Sequence, residues 1–184
     1  MTMKSRTAAA AIAAAVLAGA CSTSEGTAPV PQDEVPSPTS PAVSRCRTPA
    51  GVDSSDADAV ADAAVVVMAC HDTRSDASPL DAIRRARRWL APTLVPDPGA
   101  QTRTDNAWNT WAKAKAWTPA TVERIDLQQA PDYASGTVSL ARQTNATPTG
   151  PDGHRRIGPD VKTQWILTLT HRGNAWVVTS IEQG

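Results

Sequence analysis

The stretch Trp165-Ile166-Leu167-Thr168-Leu169-Thr170-His171-Arg172-Gly173-Asn174-Ala175-Trp176-Val177-Val178-Thr179-Ser180-Ile181 decides the fold. Trp165, Leu167 and Leu169 alternate with other residues, mostly threonine, the period-two pattern of a strand with one buried face. His171-Arg172-Gly173-Asn174 supplies turn residues, and Trp176-Val177-Val178 restarts an apolar run. An antiparallel hairpin over 162–170 and 175–182 follows. Two earlier stretches, 121–129 and 135–143, also read as strands, so the second half of the chain is a meander.

Upstream the texture changes to helical spacing. Ser55 is placed to cap a helix from 57 to about 70, with Asp56 and Asp58 in the first turn where the helix dipole favours carboxylates. Val60, Ala64, Val67 and Met68 recur at three and four residues, so one face packs inward. Ser78-Pro79-Leu80-Asp81 opens a second helix with a capping serine, proline at the first position and an acid at the third. Leu80, Ile83, Ala86, Trp89 and Leu90 share half of its wheel, and Pro92 ends it. Asp105 caps a third helix through Ala116 that carries Trp108 and Trp111 on one stripe. Helices first and strands afterwards imply an α+β domain, with N-terminal helices packed on an antiparallel sheet.

This order of elements, with the Trp165 to Ile181 ending and its tryptophan just after the turn, resembles the cone-shaped, curved-sheet fold of the nuclear-transport-factor-2-like superfamily. Asp72-Thr73 in the first helix break and Arg85-Ala86 in the second helix are similar to small exported actinobacterial proteins of this fold, among them mammalian-cell-entry-associated and conjugation-associated envelope proteins. The resemblance implies a curved sheet around a pocket. It assigns no function, because the superfamily includes isomerases, dehydratases, ligand binders and assembly factors.

The N-terminus says where the protein works. Lys4 and Arg6, an apolar run from Ala8 to Val16, and Leu17-Ala18-Gly19-Ala20-Cys21 have the order of an export signal with small residues before the cleaved bond. It resembles the bacterial lipoprotein signal, with Leu17 one place earlier than usual. The resemblance implies a signal peptide over 1–20 and a diacylglyceryl group on Cys21. The apolar run is shorter than the roughly 20 residues a bilayer core requires of a spanning helix. Residues 21–44 are rich in Ser, Thr and Pro, with Pro29, Pro31, Pro36, Pro38 and Pro41, and predict a disordered tether reaching up to roughly 70 Å. A single domain over 45–184 follows, its folded structure expected from about Ser54. The expected location is the extracytoplasmic face of the cell membrane.

The chain has 18 basic and 18 acidic residues, and loss of 1–20 removes Lys4 and Arg6, leaving 16 against 18. A near-neutral mature chain argues against a general nucleic-acid binder. Phe is absent, so six Trp and one Tyr supply the aromatic bulk. With Cys21 assigned to lipid, Cys46 and Cys70 in an exported chain most economically form one disulfide, two buried free thiols being the alternative.

No residue set amounts to a catalytic signature, and neither a metal nor a cofactor is expected. His71-Asp72 with Asp76 is the nearest to an acid-base cluster, and reads as a solvated connection between helices. Arg84, Arg85 and Arg88 are candidate binding residues, since arginine forks suit carboxylate and phosphate; the alternative is a solvent face in which Asp81 pairs with Arg84 or Arg85. His154, Arg155 and Arg156 fall on a Gly/Pro-rich loop and are candidate contacts. Trp108, Trp111 and Trp117 suit a ligand cage, an interface or the core, with Trp117 the best choice for an exposed anchor. The expected function is a non-enzymatic, membrane-anchored binding or assembly module with an envelope-protein partner. The second reading is a small apolar-ligand pocket or a cryptic enzyme of the same fold. A hollow lined by Trp165 and Trp176 with one ionisable group favours that second reading, and a concave face filled by those two rings opposes it.

Overall fold

The computed structural model describes residues 44–100 and 102–184. The signal peptide, the Cys21 lipid and nearly all of the tether lie outside the described residues. Helix α1 (Ala57–Ala69) leads into strand β1 (His71–Asp72), helix α2 (Leu80–Ala86) and helix α3 (Asn106–Lys113). Strands β2 (Trp117–Thr118), β3 (Ala120–Ile125), β4 (Thr137–Ala146), β5 (Val161–Arg172) and β6 (Ala175–Gln183) follow. β1 and β2 form a small antiparallel pair, and the others a four-stranded antiparallel sheet in the order β3-β4-β5-β6. The domain is α+β, with helices on one face of the sheet.

Alternation builds that face. Val138 and Leu140 of β4, Trp165, Leu167 and Leu169 of β5, and Trp176 and Val178 of β6 are buried against α1. Leu140 stands opposite Leu167, and Leu167 opposite Ile181. A register shift between Thr168 and Leu169 interrupts the β5–β6 ladder, and such a shift increases local twist.

The helix boundaries differ from the expected ones for local reasons. Asp56, not Ser55, caps α1, its carboxylate accepting from the N–H groups of Asp58 and Ala59. Ser55 instead bonds the Asp53 carboxylate through its hydroxyl and N–H. Burial on α1 extends to Ala61, Ala63 and Val65, beyond the single stripe that the spacing implied. The Ser78 hydroxyl does not cap α2; its N–H donates back to Asp81 at 3.0 Å. α2 stops at Ala86 and tightens into a 3-10 turn over Arg87–Trp89. Leu90 then turns extended, and the Ala91 N–H donates to the Val178 carbonyl at 2.8 Å. Tertiary pairing thus overrides helical spacing ahead of Pro92. α3 ends at Lys113, and Lys115 takes φ 51.

Order also starts earlier than Ser54. Cys46 is buried and joined to Cys70, with Cα atoms 5.6 Å apart. The Arg45 N–H donates to Asp72 at 2.9 Å, and Val52 packs on the core.

Candidate functional site

β1 and β2 position the site. His71 stands opposite Thr118, its N–H donating to the Thr118 hydroxyl at 2.8 Å. The next residue, Asp72, is completely buried and accepts from Arg45 and from the Arg74 guanidinium at 3.1 Å. Burial alone would raise the Asp72 pKa, but the hydrogen bonds from Arg74 and Arg45 outweigh it and hold the carboxyl well below the usual range. Asp76 is buried too, accepting the Asp72 N–H at 2.9 Å and pairing with Arg85. The expectation of a solvated connection over 71–76 is therefore corrected. This turn is an ion-paired, hydrogen-bonded knot, because its carboxylates find arginines from three separate segments.

Residues of α2, α3 and the ends of β5 and β6 line a partly open cavity of about 580 Å³. Met68, Leu80, Ile83, Val161 and Ile181 supply much of its apolar wall. Trp108, Trp111 and Trp165 add three indoles. The Trp165 Nε1–H is satisfied by the Thr144 hydroxyl at 2.8 Å, so that indole presents apolar surface. Asp105 caps α3 by accepting the Trp108 N–H at 2.7 Å, which holds Trp108 in the wall.

His71 is the ionisable ring in this lining. Its centroid lies 5.7 Å from Trp108 in a T-shaped contact and 6.3 Å from Trp111 at an interplanar angle of 30°. The Nδ1 is buried without a hydrogen-bond partner. Burial pushes the imidazole pKa down to about 4, with the Arg85 charge assisting and the Asp76 charge opposing. At neutral pH the ring is uncharged, a polar but neutral group facing aromatic walls.

The other candidates lie elsewhere. Arg84 pairs with Asp81 at 2.8 Å and donates to the carbonyls of Asp97 and Ala100. Arg85 is committed to Asp76 and the Cys70 carbonyl. The Asp81–Arg84 pair is the one the helical spacing offered, whereas Arg85 turns to the buried Asp76 instead. Arg88 is exposed, its guanidinium carbon 5.1 Å from the Trp89 ring centroid. Trp117 is half-buried rather than an exposed anchor, with Arg45 stacked 4.8 Å above it. His154, Arg155 and Arg156 are exposed on the β4–β5 loop, and Arg156 pairs with Asp160 at 2.6 Å. Among the described residues no three His, Cys, Asp or Glu side chains group as a metal site requires.

In the sequence His71 stands out only as part of an acid-base cluster or of a solvated connection between helices. Its role in the wall was hidden because a two-residue strand has no periodicity. The helical stripe of Trp108 and Trp111 was the visible signal, and both rings line the same cavity. No family model, curated protein or solved structure matches this chain.

Proposed function

We propose that this domain is a small-molecule binding protein whose ligand occupies the cavity under α2 and α3. The observation that carries the reading is the volume of about 580 Å³ bounded by Trp108, Trp111 and Trp165 with a neutral His71 in the wall. A concave, mostly apolar hollow with few polar groups is the usual form of a ligand site, in a size range of about 300–1,000 Å³. The assembly-module reading rested on the anchor, the long tether and the lack of a catalytic constellation; a pocket that Trp165 lines, with Trp176 packed in the core instead, supports ligand binding beside it. A base with a pKa near 4 is a weak proton acceptor at neutral pH, which favours binding over chemistry.

The helix-then-meander order and the hollow under the helices support the finer reading of the fold as a nuclear-transport-factor-2-like cone. The Leu17 to Cys21 motif supports a lipid anchor on Cys21 at the extracytoplasmic face of the membrane, where an envelope protein could deliver or receive the ligand. Radiolabelled palmitate incorporated into the chain, and not into Cys21→Ser, checks the anchor.

The binding reading is tested with N-phenyl-1-naphthylamine, a neutral probe that brightens in apolar surroundings. Its emission should rise on the folded protein and stay low on Thr163→Trp, which adds bulk at a half-buried wall position of β5. No enhancement with the folded wild-type chain, or equal enhancement with Thr163→Trp, rejects the reading.

A further inference from the structure

The cavity wall has a definite polar inventory. The buried Thr118 hydroxyl accepts from the His71 N–H and points back to the Ala69 carbonyl at 3.3 Å. The buried Thr144 hydroxyl accepts from Trp165. Asp105 spends Oδ1 on the α3 N-terminus. Thr102, Asp105 and Gln183 are solvent-exposed, and the half-buried Thr163 hydroxyl can turn either to solvent or to the cavity. The His71 imidazole, by contrast, makes no hydrogen bond with the described residues, and its Nδ1 is buried away from any partner. Buried orphan N–H groups are rarer than orphan acceptors, so the proton is assigned to Nε2. That leaves one ring N–H donor with no acceptor among the described residues.

Charge narrows the ligand further. Among the described residues that line the cavity there is no lysine or arginine, and Arg84 and Arg85 on α2 are held by Asp81, Asp76 and backbone carbonyls. A carboxylate or phosphate would give up its hydration for one neutral imidazole in a lining whose charged side chain is the acid of Asp105, an unfavourable exchange. Three indole walls offer flat faces and edges, which reward ring partners beyond the area they bury.

Resting on the cavity reading above, we infer that the site takes a neutral, planar aromatic molecule bearing one carbonyl oxygen, and that the His71 Nε2–H donates the hydrogen bond that orients it. The aromatic body lies among Trp108, Trp111 and Trp165. The carbonyl meets the imidazole between the first two of these rings. Because burial keeps that imidazole neutral, the bond persists across the neutral pH range.

The test is equilibrium dialysis at pH 7 of the full chain carrying Cys21→Ser, so that no lipid or detergent competes. The probes are naphthalene, 2-acetylnaphthalene, its saturated decalin counterpart, 2-naphthoate and 2-naphthylmethylammonium. The aromatic ketone should bind about three- to tenfold more tightly than naphthalene, the range expected for one added hydrogen bond. His71→Phe should remove that preference, so that ketone and naphthalene bind alike whatever the absolute affinity of the hydrocarbon, with native circular dichroism reporting that the fold is intact. His71→Gln, which keeps an N–H donor, should restore part of it. Equal binding of hydrocarbon and ketone, a preference that survives His71→Phe, or tighter binding of the saturated ketone, carboxylate or ammonium overturns the inference while leaving the cavity reading in place. Failure of all five probes on a chain with native circular dichroism overturns both.

Discussion

The Trp165 indole donates its N–H to the Thr144 hydroxyl across 2.8 Å, a bond buried between β4 and β5 in the cavity wall. It lets a polar edge sit in an apolar lining without an unsatisfied group. Thr144→Val keeps the volume and removes the acceptor, so the indole N–H stays buried and unpaired. Such an orphan typically costs about 1–3 kcal/mol. Urea denaturation should show a lower midpoint with an unchanged slope, and an unchanged midpoint would mean that the bond contributes nothing.

His71 gives stability a pH dependence with a definite sign. Its folded pKa, about 4, lies below the ordinary 6.5 because burial disfavours the imidazolium, helped by Arg85 and opposed by Asp76. Asp105 is the carboxylate that joins it in the cavity lining. Between those values the unfolded chain binds the proton and the folded one does not, so stability falls as pH drops from 6.5 to 4. The integrated loss is on the order of 3 kcal/mol. His71→Phe should flatten this window in urea titrations at pH 7, 5.5 and 4.5. A second decline should remain below pH 3.8, where Asp58, Asp72 and Asp81, all held below their ordinary value, begin to protonate. For these depressed acids the stabilisation is complete above the ordinary pKa and is lost as pH falls toward the folded one.

Much of the sheet was legible because a half-buried strand writes its face into the sequence. Trp165, Leu167 and Leu169 point to α1 as their alternation required, and β5 and β6 match the expected hairpin to within two residues at each end. β3 stops at Ile125 instead of running to 129, and β4 is shifted to Thr137–Ala146. Gly136, at φ 73, closes a 3-10 turn over Tyr133–Ser135 that displaces the start of β4. The cavity was not legible, since its wall joins residues from α1 to β6 whose convergence no local pattern encodes. The arginines of α2 read as a solvent face because a helical wheel ignores the buried Asp76 that captures Arg85.

Arg142 is another group that local pattern hides. It faces inward from β4, is among the largest fully buried side chains, and bonds Asp58 and Asp62 on α1. Arg124 of β3 joins the same acids, and the Tyr133 hydroxyl donates to Asp58 at 2.6 Å. Burial would raise Asp58, but the bonds from Tyr133 and Arg142 and the two guanidinium charges hold it low. Arg142→Met fills similar volume yet leaves two neighbouring carboxylates short of a cation. The expected destabilisation is about 3 kcal/mol, the lower end for a broken buried pair, because Arg124 and solvent still reach the acids. The triple variant Arg142→Met, Asp58→Asn, Asp62→Asn should recover part of the loss. No recovery would place the effect in packing instead of charge.

The Cys46–Cys70 disulfide ties the segment ahead of α1 to the residue before His71. It closes a loop with a sequence separation of 24, for which the restriction of the unfolded chain is worth about 3 kcal/mol. The same crossing is reinforced by Arg45, whose N–H and guanidinium both reach Asp72, and by the Arg85 bond to the Cys70 carbonyl at 2.6 Å. Cleaving the bond therefore should not unfold the domain at once but should loosen the knot that carries the cavity histidine. Cys46→Ala with Cys70→Ala is expected to lower Tm by roughly 10 °C for a domain of this size. Amide exchange should speed up first at 70–76, ahead of the β4–β5 ladder, and uniform acceleration over the whole sheet would show instead that the disulfide acts only on global stability.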